Sequence, residues 1–200
     1  SGTKNVLDSL RFFNHEYMNK LHVILGYLQI GETQQAMDFI MNSSLVSSQS
    51  IREAAAQIRV SKLCALIVGK MMRAAELGIR LTVQPDSICM ENDLLLPVQE
   101  YVTIVGNLLE NALEASLRTA SVRRQITVTA YLHAARLLLI EVENPFDGTV
   151  KEKDGVFRSS KRKGDGVGLQ SVRHIAERSG GASTFTYQDG VFRARVMLRG

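Results

Sequence analysis

The chain has 200 residues, 45% of them hydrophobic and 22% charged, an ordinary globular composition for one large domain or two small ones, which excludes disorder as the dominant state. Its longest apolar stretches, such as residues 63–68 and 137–140, fall far short of the ~18 residues a membrane span needs, no leader pattern opens it, and the spacing of Cys64 and Cys89 supports neither a disulfide framework nor a zinc site. The net charge of +4 is mild, and much of it gathers in Lys151, Lys153, Arg158, Lys161, Arg162 and Lys163, a run that can meet nucleic acid, a nucleoside triphosphate or only water.

A helix is predicted first, over residues 6–30, because Leu7, Leu10, Tyr17, Leu21, Ile24 and Leu28 recur three or four apart; Asn14 interrupts the seam and Gly31 ends it. A second periodic segment spans residues 33–58 through Ala36, Phe39, Ile40, Val46, Ile51, Ala54 and Ile58. Two helices joined at one glycine make a hairpin. Such a hairpin has no third element to cover both apolar faces, so it must pack on the rest of the chain or on a second copy, and two copies give a four-helix bundle. A third helix, 63–77, stops at Gly78, and residues 79–83 alternate as a strand ending at Pro85. Pro97 suits the first turn of a helix over 97–117. Residues 125–132 and 137–143 read as a β-hairpin. Residues 144–168, rich in Gly, Lys, Asp and Ser without an apolar period, are expected as a mobile loop. A helix over 169–179 stops at Gly180-Gly181, and strands 183–188 and 191–198 turn at Asp189-Gly190. Adjacent hairpins in this order suggest a mixed sheet covered by helices on one face, an α+β architecture without internal repeats.

Asn107 and Asn111, at i and i+4 inside the 97–117 helix, share one face. They are either a solvated polar stripe or a grip on something polar over the sheet. Gly164-Asp165-Gly166-Val167-Gly168-Leu169 opens a helix, and glycines there let backbone N–H groups approach a phosphate chain where the helix dipole favours negative charge. A glycine string alone is weak evidence, and this one does not follow a strand directly, which argues against a dinucleotide fingerprint.

Together, the Asn-x-x-x-Asn helix, the basic segment and the Gly-x-Gly-x-Gly-Leu helix start resemble the Bergerat (GHKL) ATP-binding fold shared by histidine kinases and gyrases, over about residues 76–200. The resemblance implies ATP and Mg²⁺ as cofactors, with Asn111 as the metal ligand and Asn107, Gly164, Gly166, Gly168 and Leu169 around the nucleotide. One amide oxygen completed by phosphates and waters suits the Mg²⁺ octahedron. Gyrase-like members carry a water-activating glutamate where this chain has Asn107, so the resemblance favours phosphoryl transfer over hydrolysis. Most of the family has an Asp after the strand ending near Glu143 to meet the adenine amino group; here Asn144 stands there, as in peptide-quorum-sensing kinases, and its amide oxygen can accept the same bond. Asp147 can serve instead if the loop shifts. Lys161 is placed to touch the γ-phosphate or only to screen it.

His15 stands beside the seam of the first helix, followed by Glu16 and, one turn on, Asn19. An imidazole with a pKa near ~6.5 is mostly uncharged and nucleophilic at neutral pH, and an adjacent carboxylate can orient one ring nitrogen and take its proton. A single helical histidine is more often structural or solvated. The run at residues 14–26, however, resembles the phosphoacceptor helix of citrate- and fumarate-sensing kinases, which implies His15 as acceptor, Glu16 as base and Asn19 as the phosphatase-side residue. His22, His133 and His174 read as structural or exposed, Cys64 and Cys89 as small apolar groups, and Met71 and Met72 as core filler.

The resulting expectation is a sensor histidine kinase core: residues 1–60 a dimerising phosphoacceptor hairpin, and residues 61–200 an ATP-binding sandwich whose lid, 146–163, moves to bring the γ-phosphoryl to His15. A homodimer is expected, with a response-regulator aspartate as the next acceptor, no nucleic-acid partner, no direct membrane contact, and a cytoplasmic location within a membrane-anchored parent. The rival is a non-kinase phosphorelay or scaffold protein whose ATP fold is degenerate; a thermal shift with ATP and magnesium distinguishes them.

Overall fold

The computed structural model describes residues 2–42, 46–118, 125–132, 137–145, 151–153, 156–158 and 167–199. They form two compact units, residues 1–47 and 48–200.

In the first unit, α1 (Gly2–Gln29) packs against α2 (Thr33–Asn42). The turn between them is a glycine-centred helix stop: Gly31 takes φ +79, and the N–H groups of Gly31 and Glu32 donate to the carbonyls of Leu28 and Tyr27 at 3.2 and 2.8 Å. At ~1.5 Å rise per residue, α1 is about 42 Å long and α2 about 15 Å, so α2 can line only the last third or so of α1. Accordingly α1 has no buried residue, and in α2 only Ala36 is buried.

The single helix expected over residues 33–58 is instead two, α2 and α3 (Ser48–Gln57). The sequence between them holds Ser43, Ser44 and Ser47, with Ser48 opening α3, and serine side chains offer the backbone hydrogen bonds that compete with a helix. α3 packs with α4, β1 and β2, and the division into compact units falls between Ser47 and Ser48.

The second unit continues with β1 (Ile58–Arg59), α4 (Ser61–Glu76), β2 (Arg80–Val83), β3 (Cys89–Met90), a 3₁₀ turn at Glu91–Asp93, and α5 (Val98–Leu117). Then come β4 (Gln125–Leu132), β5 (Leu137–Pro145), β6 (Lys151–Lys153), β7 (Val156–Arg158), α6 (Val167–Arg178), β8 (Ala182–Gln188) and β9 (Val191–Arg199). The main sheet has the order β2-β4-β5-β9-β8, parallel between β2 and β4 and antiparallel elsewhere. Its one-sidedness is visible in β9, where Phe192, Ala194, Val196 and Leu198 are buried and Arg193, Arg195 and Arg199 are exposed. Helices α4, α5 and α6 supply the other half of the core, through Leu63 and Ile67, through Tyr101, Ile104, Leu108, Leu109 and Leu113, and through Val172 and Ile175. α5 is the central helix, packed against both α4 and α6.

Sequence punctuation fixes the ends. Gly78 (φ +72) and Gly180 (φ +77) stop α4 and α6 with the same bonding as Gly31: Ile79 N–H donates to Ala74 O at 2.8 Å, and Gly181 N–H to Ala176 O at 2.9 Å. Asp189 and Gly190 take φ +54 and +75, as a two-residue β-hairpin turn requires. Gly181 is irreplaceable for another reason: a Cβ there would lie 1.9 Å from the carbonyl oxygen of Met197.

The loop expected over residues 144–168 needs correction. β5 runs on through Pro145, α6 begins at Val167, and β6 and β7 pair antiparallel, Lys151 opposite Arg158 and Lys153 opposite Val156. Three-residue strands are too short for alternation to show, although Asp154-Gly155 between them is a hairpin signal in its own right.

Candidate functional site

The start of α6 lies against the middle of α5. A Cβ added at Gly168 would stand 3.6 Å from the Cβ, Cγ and Oδ1 of Asn107, so the two backbones approach closely because no side chain intervenes. Leu169, the next residue, is buried and anchors that first turn in the core. The first N–H groups of a helix have no partner within it, and with the helix dipole they form a positive concavity suited to an anion. Asn107 and Asn111 are both half-exposed, one turn apart on α5, so an amide group sits beside that helix end and a second lies one turn further along. α6 then follows α5 backwards: Arg178, in its last turn, is hydrogen-bonded and ion-paired with Glu100 in the first turn of α5.

On the other side of α5, Gly106 faces α4, with the Leu66 Cδ2 3.7 Å from where a Cβ would be. Glu110, one turn on, accepts from Lys70 Nζ at 2.6 Å and from Arg73 Nη2 at 3.3 Å, both on α4. The pairings link residues 40 and 37 positions apart, so no local pattern in the chain reveals them. Tyr101 anchors the entry to α5: its hydroxyl accepts the backbone N–H groups of Leu95 at 2.8 Å and Leu96 at 3.3 Å, and burial raises its pKa.

His15, Glu16 and Asn19 lie in the other unit, on exposed positions of α1. The Asn19 side-chain nitrogen stands 3.4 Å from His15 Nδ1, the i to i+4 neighbour that helical spacing predicts. Glu16, one residue on, projects about 100° round the helix from His15.

Asn144 is the penultimate residue of β5, in register with Phe192 of β9; its neighbour Glu143 accepts from Arg193 Nε at 2.6 Å. Lys161, Gly164, Gly166, Asp147, His133 and most of the expected 146–163 lid lie outside the described residues. His22 and His174 are exposed, Met71 is buried and Met72 half-buried. Cys64 and Cys89 are both free thiols; burial, then the nearby Asp93 carboxylate, pushes Cys89 up to about 11, which keeps it protonated and unreactive at neutral pH. Among the described residues no three His, Cys, Asp or Glu side chains cluster to hold a metal, and no helix is long and apolar enough to cross a membrane. A magnesium ion would therefore depend on an amide such as Asn111 together with oxygens of its own ligand, a donor set that suits it.

Residues 96–199 match the family model described as a GHKL domain, and residues 1–50 match that of the sensor-kinase SpoOB-type alpha-helical domain. The sensor protein CitS of Halalkalibacterium halodurans is 32% identical over 91% of this chain and 35% of its own length. The sensor histidine kinase DcuS of Escherichia coli K12 is 32% identical over 96% and 35%. The chain thus spans about a third of the length of the curated relatives it matches. Among solved structures, the catalytic domain of the histidine kinase ThkA superposes with a TM-score of 0.52 at 19% identity, covering 68% of this chain and 90% of that one. The Acinetobacter baumannii histidine kinase AdeS gives 0.50 at 13% identity over 92% and 97%. These two likenesses speak to the fold.

Proposed function

Because the chain belongs to the GHKL domain family, we propose that it is the catalytic core of a sensor histidine kinase, binding ATP between α5 and α6 and transferring the γ-phosphoryl group to His15. The observation that carries this reading is the close approach of Gly168 to Asn107, which puts an anion-receptive helix end beside one amide, with that of Asn111 one turn further along α5.

In this reading the backbone N–H groups at the start of α6, with those of Gly164 and Gly166, cradle the phosphates, and Lys161 meets the γ-phosphate. Asn144 accepts from the adenine amino group. Asn111 would hold Mg²⁺, and the ion would supply charge neutralisation at the phosphates. The ring nitrogen Nε2 of His15 attacks the γ-phosphorus, the bond to the β,γ-bridging oxygen breaks, and ADP leaves. Glu16 takes the proton from the ring, and Asn19 serves the reverse, dephosphorylating reaction. A response-regulator aspartate receives the phosphoryl group next.

The hairpin supports a homodimer: Leu7, Leu10, Phe13 and Tyr17 of α1 are all exposed, an apolar surface larger than a solitary helix pair retains in water. A second hairpin closing a four-helix bundle covers it. With relatives named as sensors and about three times as long, the chain is taken as the cytoplasmic portion of a membrane-anchored parent.

The test is incubation with γ-labelled ATP and magnesium. The native chain should acquire acid-labile, alkali-stable label, and His15→Gln should acquire none while still binding nucleotide. Label that persists on His15→Gln, or that survives acid, sinks the assignment.

A further inference from the structure

Helix α5 presents two adjacent faces with different tasks. Asn107 and Asn111 occupy one, beside the start of α6. Gly106 and Glu110 occupy the other, turned from the first by about 100°, and meet α4 through Leu66, Lys70 and Arg73. A small rotation of α5 about its axis would leave its hydrophobic burial nearly unchanged, since Leu108, Leu109, Ala112 and Leu113 all lie in the core. It would nevertheless swing both amides away from α6. Interdigitated core side chains oppose a large roll, but the hydrophobic driving force itself is non-directional and does not choose among small ones. A charged contact of fixed geometry resists a small roll strongly.

We infer that Glu110 is a positioning residue for the magnesium-nucleotide: its ion pairs with Lys70 at 2.6 Å and Arg73 at 3.3 Å set the roll of α5, and thereby aim Asn107 and Asn111 at the phosphates. The Lys70 and Glu110 side chains are 20% and 35% exposed, so their contact is partly shielded from water and from screening, unlike most surface pairs. Arg73, 57% exposed, is the weaker partner. The Gly106 contact fixes the distance between α4 and α5, and the Glu110 pairs fix the angle. The inference rests on the reading of α5 and α6 as the nucleotide site, and it assigns Glu110 a role through Asn111, not a contact with the ligand.

The experiment titrates a β,γ-imido ATP analogue with magnesium into the 200-residue chain by calorimetry, alongside thermal melting. Glu110→Gln should weaken binding by about tenfold, the scale on which residues supporting a metal ligand act. Lys70→Met should weaken it comparably, and Lys70→Arg should restore most of the loss. Val196→Ala, a core change in β9 remote from α4, is the control for lost stability alone; it should melt earlier yet bind as the native chain does. Native affinity in Glu110→Gln and Lys70→Met overturns the inference. So does a loss in Val196→Ala matching that of Glu110→Gln at equal loss of melting temperature. Absence of binding by the native chain has a different meaning: it removes the nucleotide site itself, and the positioning role with it.

Discussion

The two units use the same helical patterning to opposite ends. The sheet domain closes its own core: the apolar stripe of α4 lies against β2, that of α5 against β4 and β5 and that of α6 against β8 and β9, and Ile104, Leu109, Val172 and Val196 are lost from water. In the hairpin α2 lines only part of α1, and Leu10, Phe12, Phe13 and Tyr17 stay more than half exposed. An amphipathic helix is thus only half of a packing solution, and the other half comes from a third layer in one unit and, in the proposed dimer, from a second molecule in the other. The chemistry divides in the same way. In the proposed reading the domain carries the groups that hold phosphates, beside the buried Leu169, and the hairpin carries the exposed imidazole of His15.

Substitutions that strike one unit and spare the other test this division. Asn111→Ala should abolish magnesium-nucleotide binding, by roughly a hundredfold or more, and with it all labelling of His15, while sedimentation of the hairpin-mediated dimer stays unchanged; retained affinity would remove Asn111 from the site. Gly181→Ala should unfold the domain selectively, because its Cβ would meet the Met197 carbonyl oxygen at 1.9 Å. A backbone clash of that kind costs about 3 kcal/mol or more and should lower the melting temperature by roughly 10 °C; an unchanged melt would mean that the α6 to β8 corner is not packed as described.

Leu10→Glu should act on the hairpin alone. Covering that leucine is worth about 2 kcal/mol, and a homodimer covers two copies, so the dimer should dissociate at roughly several-hundredfold higher concentration, read by sedimentation, with nucleotide affinity intact. A native self-association would place the dimer surface elsewhere. The smallest effect is on pH. Burial, then Asp93, raises Cys89 from 9.0 to about 11. Above pH 9 the unfolded thiol loses its proton while the folded one keeps it, so this contribution is complete below pH 9 and fades between 9 and 11. Cys89→Ala should flatten the alkaline fall in stability measured by urea titration, and an identical alkaline slope would count against the burial of that thiol.

Much of the fold could be read from residues that punctuate it. Gly31, Gly78 and Gly180 end helices with positive φ, and Asp189-Gly190 turns the last hairpin, because these backbone states admit few other residues. The alternation of β9 and the stripe of α5 were equally legible, since each reflects one buried face. Pairings two residues long, β1 with β3, carry no period to detect. The break of the second helix between Asn42 and Ser48 was hidden because Val46, Ile51 and Ala54 keep a helical rhythm across the serines. For the site, the asparagine pair and the glycines point to a phosphate-binding helix start, and the approach of Gly168 to Asn107 joins them. Glu110 escaped notice although it sits inside the asparagine motif, because its partners come from α4, and long-range ion pairs leave no mark on local sequence.

Locating the transferred phosphate by electron-transfer fragmentation mass spectrometry, under neutral conditions and after incubation with ATP and magnesium, decides whether α1 and the sheet domain share one reaction. Phosphate on His15, and on no other residue, is the expected result. Phosphate on a serine or a different histidine, or ATP consumed with none attached to the chain, would contradict it.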